Sequence, residues 1–159
     1  MPDIPTPTNI GEPVDLRIVN KRRIPWLILG VVSAGGAIGA VAREGMTVAW
    51  PHQPGAFPWA TFVTNVTGCL LIGVLMVLAT EVWAAHRLLR LFLGTGILGG
   101  YTTFSTYTVD TQQLMTAGAP RTALLYLAAT LAAALAAVYA GTTLTRLVTR
   151  TRLPRRGRR

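Results

Sequence analysis

The polar residues set inside long apolar stretches are the ones whose chemistry needs explaining. Asn65 carries a side-chain amide in an apolar run, where its donors and its acceptor must all find partners. It can tie two helices together, or its NH2 can donate to a negative species moving past. Phe104 and Tyr107 lie three apart and share one helical face. The positive edges of such rings attract an anion without the grip of a full charge, although the same pair can simply pack a core. Gly99 and Gly100 precede a run from Tyr101 to Thr108 in which only Phe104 lacks a hydroxyl. Glycine costs about 1 kcal/mol against alanine in a helix, and hydroxyls compete for backbone partners. The pattern predicts a broken helix at 99–103, whose freed carbonyls can coordinate a small cation and whose freed N–H groups can face an anion. Tyr126 and Thr130 set two hydroxyls four apart on one face, as a polar stripe or as interhelical hydrogen bonds. Arg43 lies near the end of an apolar stretch, where it either snorkels or faces a water-filled vestibule that attracts anions. Asp110, a turn beyond Tyr107, is the most plausible membrane-associated acid, as an entry or gating group or as a helix-end charge.

These residues need an apolar scaffold, and the composition supplies one. The chain has 159 residues, 51% hydrophobic and only 13% charged, which is too apolar for an ordinary soluble domain. A bilayer core of about 30 Å needs roughly 20 mainly apolar residues in a helix. Four stretches qualify, near 26–48, 58–83, 88–115 and 121–145, and together they make a four-helix membrane domain over 24–145. Short links make successive helices antiparallel neighbours. Gly35, Gly36 and Gly39 with Ala40 form overlapping small-residue pairs that let another helix approach closely. Cys69, the single cysteine, reads as a small buried apolar side chain.

A net charge of +9 is compatible with nucleic-acid binding, but the basic residues flank the apolar runs, as they do at a cytoplasmic membrane face. Thirteen of the fifteen Lys/Arg fall on one side if the N-terminus is cytoplasmic, a strong signal for both termini inside at the plasma membrane. Residues 1–23 read as a disordered basic tail with no cleavage pattern of a signal peptide. Residues 146–159 read as a basic C-terminal tail that meets anionic membrane lipid.

In order along the chain, Gly35-Gly36-Ala37-Ile38-Gly39-Ala40 leads to Arg43, Pro58-Trp59-Ala60-Thr61 leads to Asn65 and Gly68, and Gly99-Gly100-Tyr101-Thr102-Thr103-Phe104-Ser105-Thr106-Tyr107 follows. This sequence of motifs resembles the Fluc (CrcB-type) fluoride channels from about residue 30 to residue 141, and the last motif is highly specific. The resemblance implies a dimer of antiparallel subunits with two fluoride pathways and a structural sodium ion at its centre. It assigns the sodium to backbone carbonyls of Gly99 and Thr102. Asn65, the aromatic box begun by Phe104, and a polar track of Tyr126 and Thr130 go to the anion pathway. The chain departs from the family pattern in three places. Tyr107 replaces the second phenylalanine of the box, Asp110 replaces a glutamate, and Ala133 and Ala134 end the polar track early.

The expected function is passive, fluoride-specific export that lowers cytoplasmic fluoride, with no enzymatic step and no energy-coupling motif such as a phosphate-binding loop. Members that insert both ways need balanced charge, and this chain is unbalanced. Its second subunit is expected to be either another copy of itself or, as the imbalance favours, an oppositely oriented homologue, with this chain then holding one orientation as a half-pore or non-conducting subunit. A small exporter of cationic drugs is the rival class. Such a protein needs a carboxylate within its first helix, whereas Glu44 lies beside Arg43 near that helix's end.

Overall fold

The computed structural model describes residues 26–82 and 87–152. The tail at 1–23, the turn around His86 and the last residues of the C-terminal tail lie outside the described residues. Every regular element among the described residues is helical. Helix α1 spans Trp26–Ala49, and α2 spans Trp59–Val77 and continues through a wider π-wound turn, Leu78–Val82. A short α3, Arg87–Arg90, runs into a second π-wound stretch, Leu91–Leu98, and then α4, Gly99–Tyr101. Helix α5 is Ser105–Thr116 and α6 is Pro120–Arg152. Gly118 makes the turn between them at φ +74°, a conformation open to glycine. Among the described residues, three helices are long and apolar enough to cross a membrane: Trp26–Ala49, Trp59–Thr80 and Pro120–Thr149. The stretch 87–116 is divided by its π winding and by a break, so none of its pieces is a membrane-length helix by itself.

The break falls slightly later than the expected 99–103. Gly99 to Tyr101 stay helical, Thr102 is extended at φ −75° and ψ 154°, and regular helix resumes at Ser105. The glycine pair does not bend the chain, because Gly100 serves close packing instead. A Cβ on Gly100 would lie 3.0 Å from the Gly36 Cα and nearer still to the Gly36 carbonyl oxygen.

Glycines set the helix pairings, since only a missing Cβ lets backbones come this close. A Cβ on Gly35 would lie 2.6 Å from the Phe92 carbonyl oxygen, and one on Gly96 would lie 3.1 Å from that of Val32. Gly39 packs on Ile97 and Tyr101. The order of these contacts makes 91–101 run parallel to α1. On the opposite side Thr61 and Tyr126 share the Asp110 carboxylate near the starts of α2 and α6, and further along a Cβ on Gly73 would lie 2.5 Å from the Val138 carbonyl oxygen, so α2 and α6 also run parallel. Thr61 bonds Asp110 and Asn65 bonds Thr103, which makes α2 antiparallel to the third stretch. Two parallel pairs of opposite direction result. Leu124, Leu131, Leu135 and Val41 face outward, as suits an apolar surround.

Candidate functional site

The site begins with one face of α2. Thr61, Thr64, Asn65 and Gly68 are all buried there. Asn65 uses its amide as a backbone mimic: Nδ2 donates to the Thr103 carbonyl at 2.9 Å, and its Oδ1 accepts the Thr103 N–H at 2.9 Å. This double bond captures the chain where the helix stops. Gly68 leaves room for the Thr102 side chain, and the hydroxyls of Thr67 and Tyr101 meet at 3.0 Å. On the other side of the break Thr103 Oγ1 accepts the Thr106 N–H at 3.1 Å, the kind of side-chain bond that starts a helix.

These diversions have a cost for neighbouring carbonyls. In a continuous helix the Thr103 N–H would bond the Gly99 carbonyl, and the Thr106 N–H would bond that of Thr102. Asn65 and the Thr103 hydroxyl take those donors instead. Gly99 and Thr102 thus present backbone oxygens without their helical partners, and such oxygens suit a hard cation. No cluster of three His, Cys, Asp or Glu side chains exists among the described residues.

A cavity of about 280 Å³ opens between α2, the break and α6, and Asn65, Cys69, Phe104, Tyr107 and Thr130 line it together with Leu131 and Ala134. No charged side chain lines it. Thr130 is only 5% exposed, yet its Oγ1 has no hydrogen-bond partner. A helical threonine ordinarily satisfies itself on the carbonyl one turn back, as Thr111 does on Tyr107 at 2.8 Å. A buried hydroxyl left without a partner costs about 1–3 kcal/mol, so this one calls for a partner from outside the chain. Phe104 is 79% exposed and its ring lies 5.8 Å from that of Tyr107.

The other expected residues lie elsewhere. Tyr126 is fully buried and donates to Asp110 Oδ2 at 3.3 Å, while Thr61 donates to the same oxygen at 2.6 Å. This buried knot joins α2, α5 and α6 beneath the cavity without lining it. Tyr107 donates its hydroxyl to the Leu127 carbonyl at 2.9 Å, so the extra oxygen is satisfied on α6 and the ring edge stays at the cavity. Arg43 is half-buried on α1 and does not reach the cavity.

A family model described as "CrcB-like protein, Camphor Resistance (CrcB)" matches residues 30–142 of this chain. The chain belongs to the CrcB family. Several relatives of this CrcB-family chain carry one name. Fluoride-specific ion channel FluC 2 of Streptomyces avermitilis is 55% identical over 133 residues, covering 80% of this chain and 84% of its own. FluC 2 of Nocardia farcinica is 56% identical over 123 residues, covering 76% of this chain and 88% of its own. FluC 1 of Streptomyces coelicolor is 50% identical over 133 residues, covering 81% and 86%. With three membrane-capable helices, this CrcB-family chain is a multi-pass membrane protein.

Two features of the site escaped the sequence reading. Thr103 matters through its backbone, which no side-chain pattern reveals. Cys69, read as inert filler, lines the cavity because it lies one turn from Asn65 on the same face. That spacing was the available signal.

Proposed function

We propose that this chain forms a passive, fluoride-specific pathway across the plasma membrane and acts as one subunit of an antiparallel dimer. The observation that carries the reading is a Thr130 hydroxyl without a protein partner, on a residue that lines a cavity shared with Asn65 and Phe104. Fluoride is small and strongly hydrated, so a pathway must replace its water with donors and still let it go. Thr130 offers an O–H, Asn65 offers the N–H it does not spend on Thr103, and Phe104 and Tyr107 offer ring edges. Each interaction is modest, and the absence of a lining cation avoids a trap. The names of the CrcB-family relatives support fluoride as the permeant ion.

Four crossings follow if 87–116, running alongside α1, completes a third pass. Both termini then face the cytoplasm, where the basic residues concentrate. The carbonyls of Gly99 and Thr102 would hold a structural sodium ion; when bound it would supply a fixed positive charge that these oxygens coordinate in place of their lost N–H partners. The exposed Phe104 ring and Leu131 (62% exposed) are covered by the second subunit. The charge asymmetry favours a homologue of opposite orientation as that subunit. Relatives named FluC 2 and FluC 3 both occur in Streptomyces avermitilis, so more than one such chain can serve one organism. Arg43 attracts anions toward the entrance, and the Asp110 knot holds the walls.

Thr130→Val removes the open hydroxyl and keeps the shape of the side chain. Fluoride efflux from vesicles is expected to fall about tenfold, the worth of a hydrogen bond of roughly 1.4 kcal/mol to an ion. Thermal stability is expected to hold or rise, by up to about 1 kcal/mol, because no protein partner is lost. A variant with parental flux would remove Thr130 from the pathway.

A further inference from the structure

We infer that an anionic phospholipid binds between α2 and the stretch Leu91–Leu98, with an acyl chain in the groove there and its phosphate against Arg87 and Arg90. The inference rests on the membrane fold and not on the fluoride reading. Leu71, Val74 and Leu78 form one wall of the groove and Leu93, Ile97 and Leu98 the other, around about 230 Å³. Every lining residue is aliphatic, and water, which needs polar partners, gains nothing by staying there. The winding explains the gap. Both walls are π-wound at this depth, over Leu78–Val82 and Leu91–Leu98, which takes their side chains out of the spacing by which α-helical ridges fill grooves. Val74 comes nine residues after Asn65, about two and a half turns, and so lies on the opposite face of α2. A second subunit seated over Phe104 and the cavity therefore leaves this groove open, with Leu71 exposed along it.

Charge and depth name the occupant. Helix α3, Arg87–Arg90, begins the stretch that returns antiparallel to α2, so both arginines lie at the end where the membrane-length helix Trp59–Thr80 stops. Both are exposed, and among the described residues neither forms an ion pair. A guanidinium suits a phosphate, which it can bond through two N–H groups at once. Leu98 comes eight residues after Arg90, at most about 12 Å along a helix that rises 1.5 Å per residue. Half of a bilayer core is about 15 Å, so the groove runs from headgroup level toward the midplane, the reach of one leaflet. Basic residues above a groove between membrane helices are the arrangement that holds an anionic headgroup.

The test uses the full chain, both tails included, in mild detergent with equal amounts of phosphatidylglycerol and phosphatidylcholine of identical acyl chains, read by native mass spectrometry. Each arginine near an anionic surface favours it about fivefold. One lipid per chain is expected, with phosphatidylglycerol in excess by about tenfold or more. Arg87→Gln with Arg90→Gln is expected to bring the two lipids close to parity, and Leu71→Trp, which fills the groove from its open side, to lose both. A preference that survives the arginine pair, or binding that survives Leu71→Trp, would place the lipid elsewhere and overturn the inference, as would parity in the parent. A parent that retains no lipid, and whose dimer falls to a monomer with Leu71→Trp, would give the groove to a second copy and overturn it as well. Fluoride efflux is not a readout here, so a failure of the fluoride reading leaves each of these outcomes unchanged.

Discussion

Asn65→Leu is expected to abolish fluoride efflux, a loss of at least about a hundredfold, and to lower thermal stability at the same time. The substitution deprives the Thr103 N–H and C=O of their two 2.9 Å bonds. Each buried backbone group left without a partner costs about 1–3 kcal/mol. The Thr103 N–H would then be free to return to the Gly99 carbonyl, and the helix would tend to close across the break. Both the donor in the cavity and the shape of its wall would be lost together. Asn65→Asp separates these effects: its carboxylate still accepts the Thr103 N–H but cannot donate to the carbonyl, and its charge repels anions. It is expected to fold better than Asn65→Leu and to conduct no better. Efflux from reconstituted vesicles and thermal unfolding in detergent read the two quantities. Asn65→Leu with flux within a few fold of the parent would show that neither the amide nor the break governs conduction.

Gly39→Val is expected to prevent the chain from folding. A Cβ at Gly39 would fall on the Ile97 carbonyl oxygen and 2.8 Å from the Tyr101 nitrogen. Both neighbours are backbone, so no flexible side chain can move aside, and α1 must separate from the stretch it supports. The cost is expected to exceed about 4 kcal/mol, in the range reserved for severe packing errors, because the whole interface through Gly35, Gly96 and Gly100 opens with it. Gly45→Ala is the matched control on the same helix. A Cβ there meets nothing within 4 Å, and helix propensity is expected to add up to about 1 kcal/mol. Size-exclusion profiles and unfolding temperatures check the pair; a Gly39→Val chain as monodisperse and as stable as the parent would refute the packing account.

The sequence was informative where a residue's chemistry conflicted with an apolar surround. Asn65, the hydroxyl run after Gly100 and the small residues of α1 each conflicted in this way, and each has an observable structural consequence. Where one residue type serves two purposes, the pattern was ambiguous. Gly99 and Gly100 predicted a break by propensity, whereas the fold uses Gly100 for contact with Gly36 and breaks a little further on, where Asn65 takes the backbone. Tyr126 and Thr130 form one stripe by spacing, yet Tyr126 turns to Asp110 while the Thr130 hydroxyl takes no protein partner. Helical spacing fixes a face but not which neighbour a hydroxyl chooses. The π-wound stretch Leu91–Leu98 had no signal at all, because apolar residues with scattered glycines suit α and π winding alike.

Efflux of fluoride from vesicles, followed with a fluoride electrode and repeated with chloride, tests the central claim most directly. The vesicles are prepared with the purified chain alone and with an oppositely oriented homologue added. Rapid, passive fluoride release from the paired preparation, with chloride retained, is the expected result. Fluoride held back in both preparations, or chloride released as fast as fluoride, would contradict it.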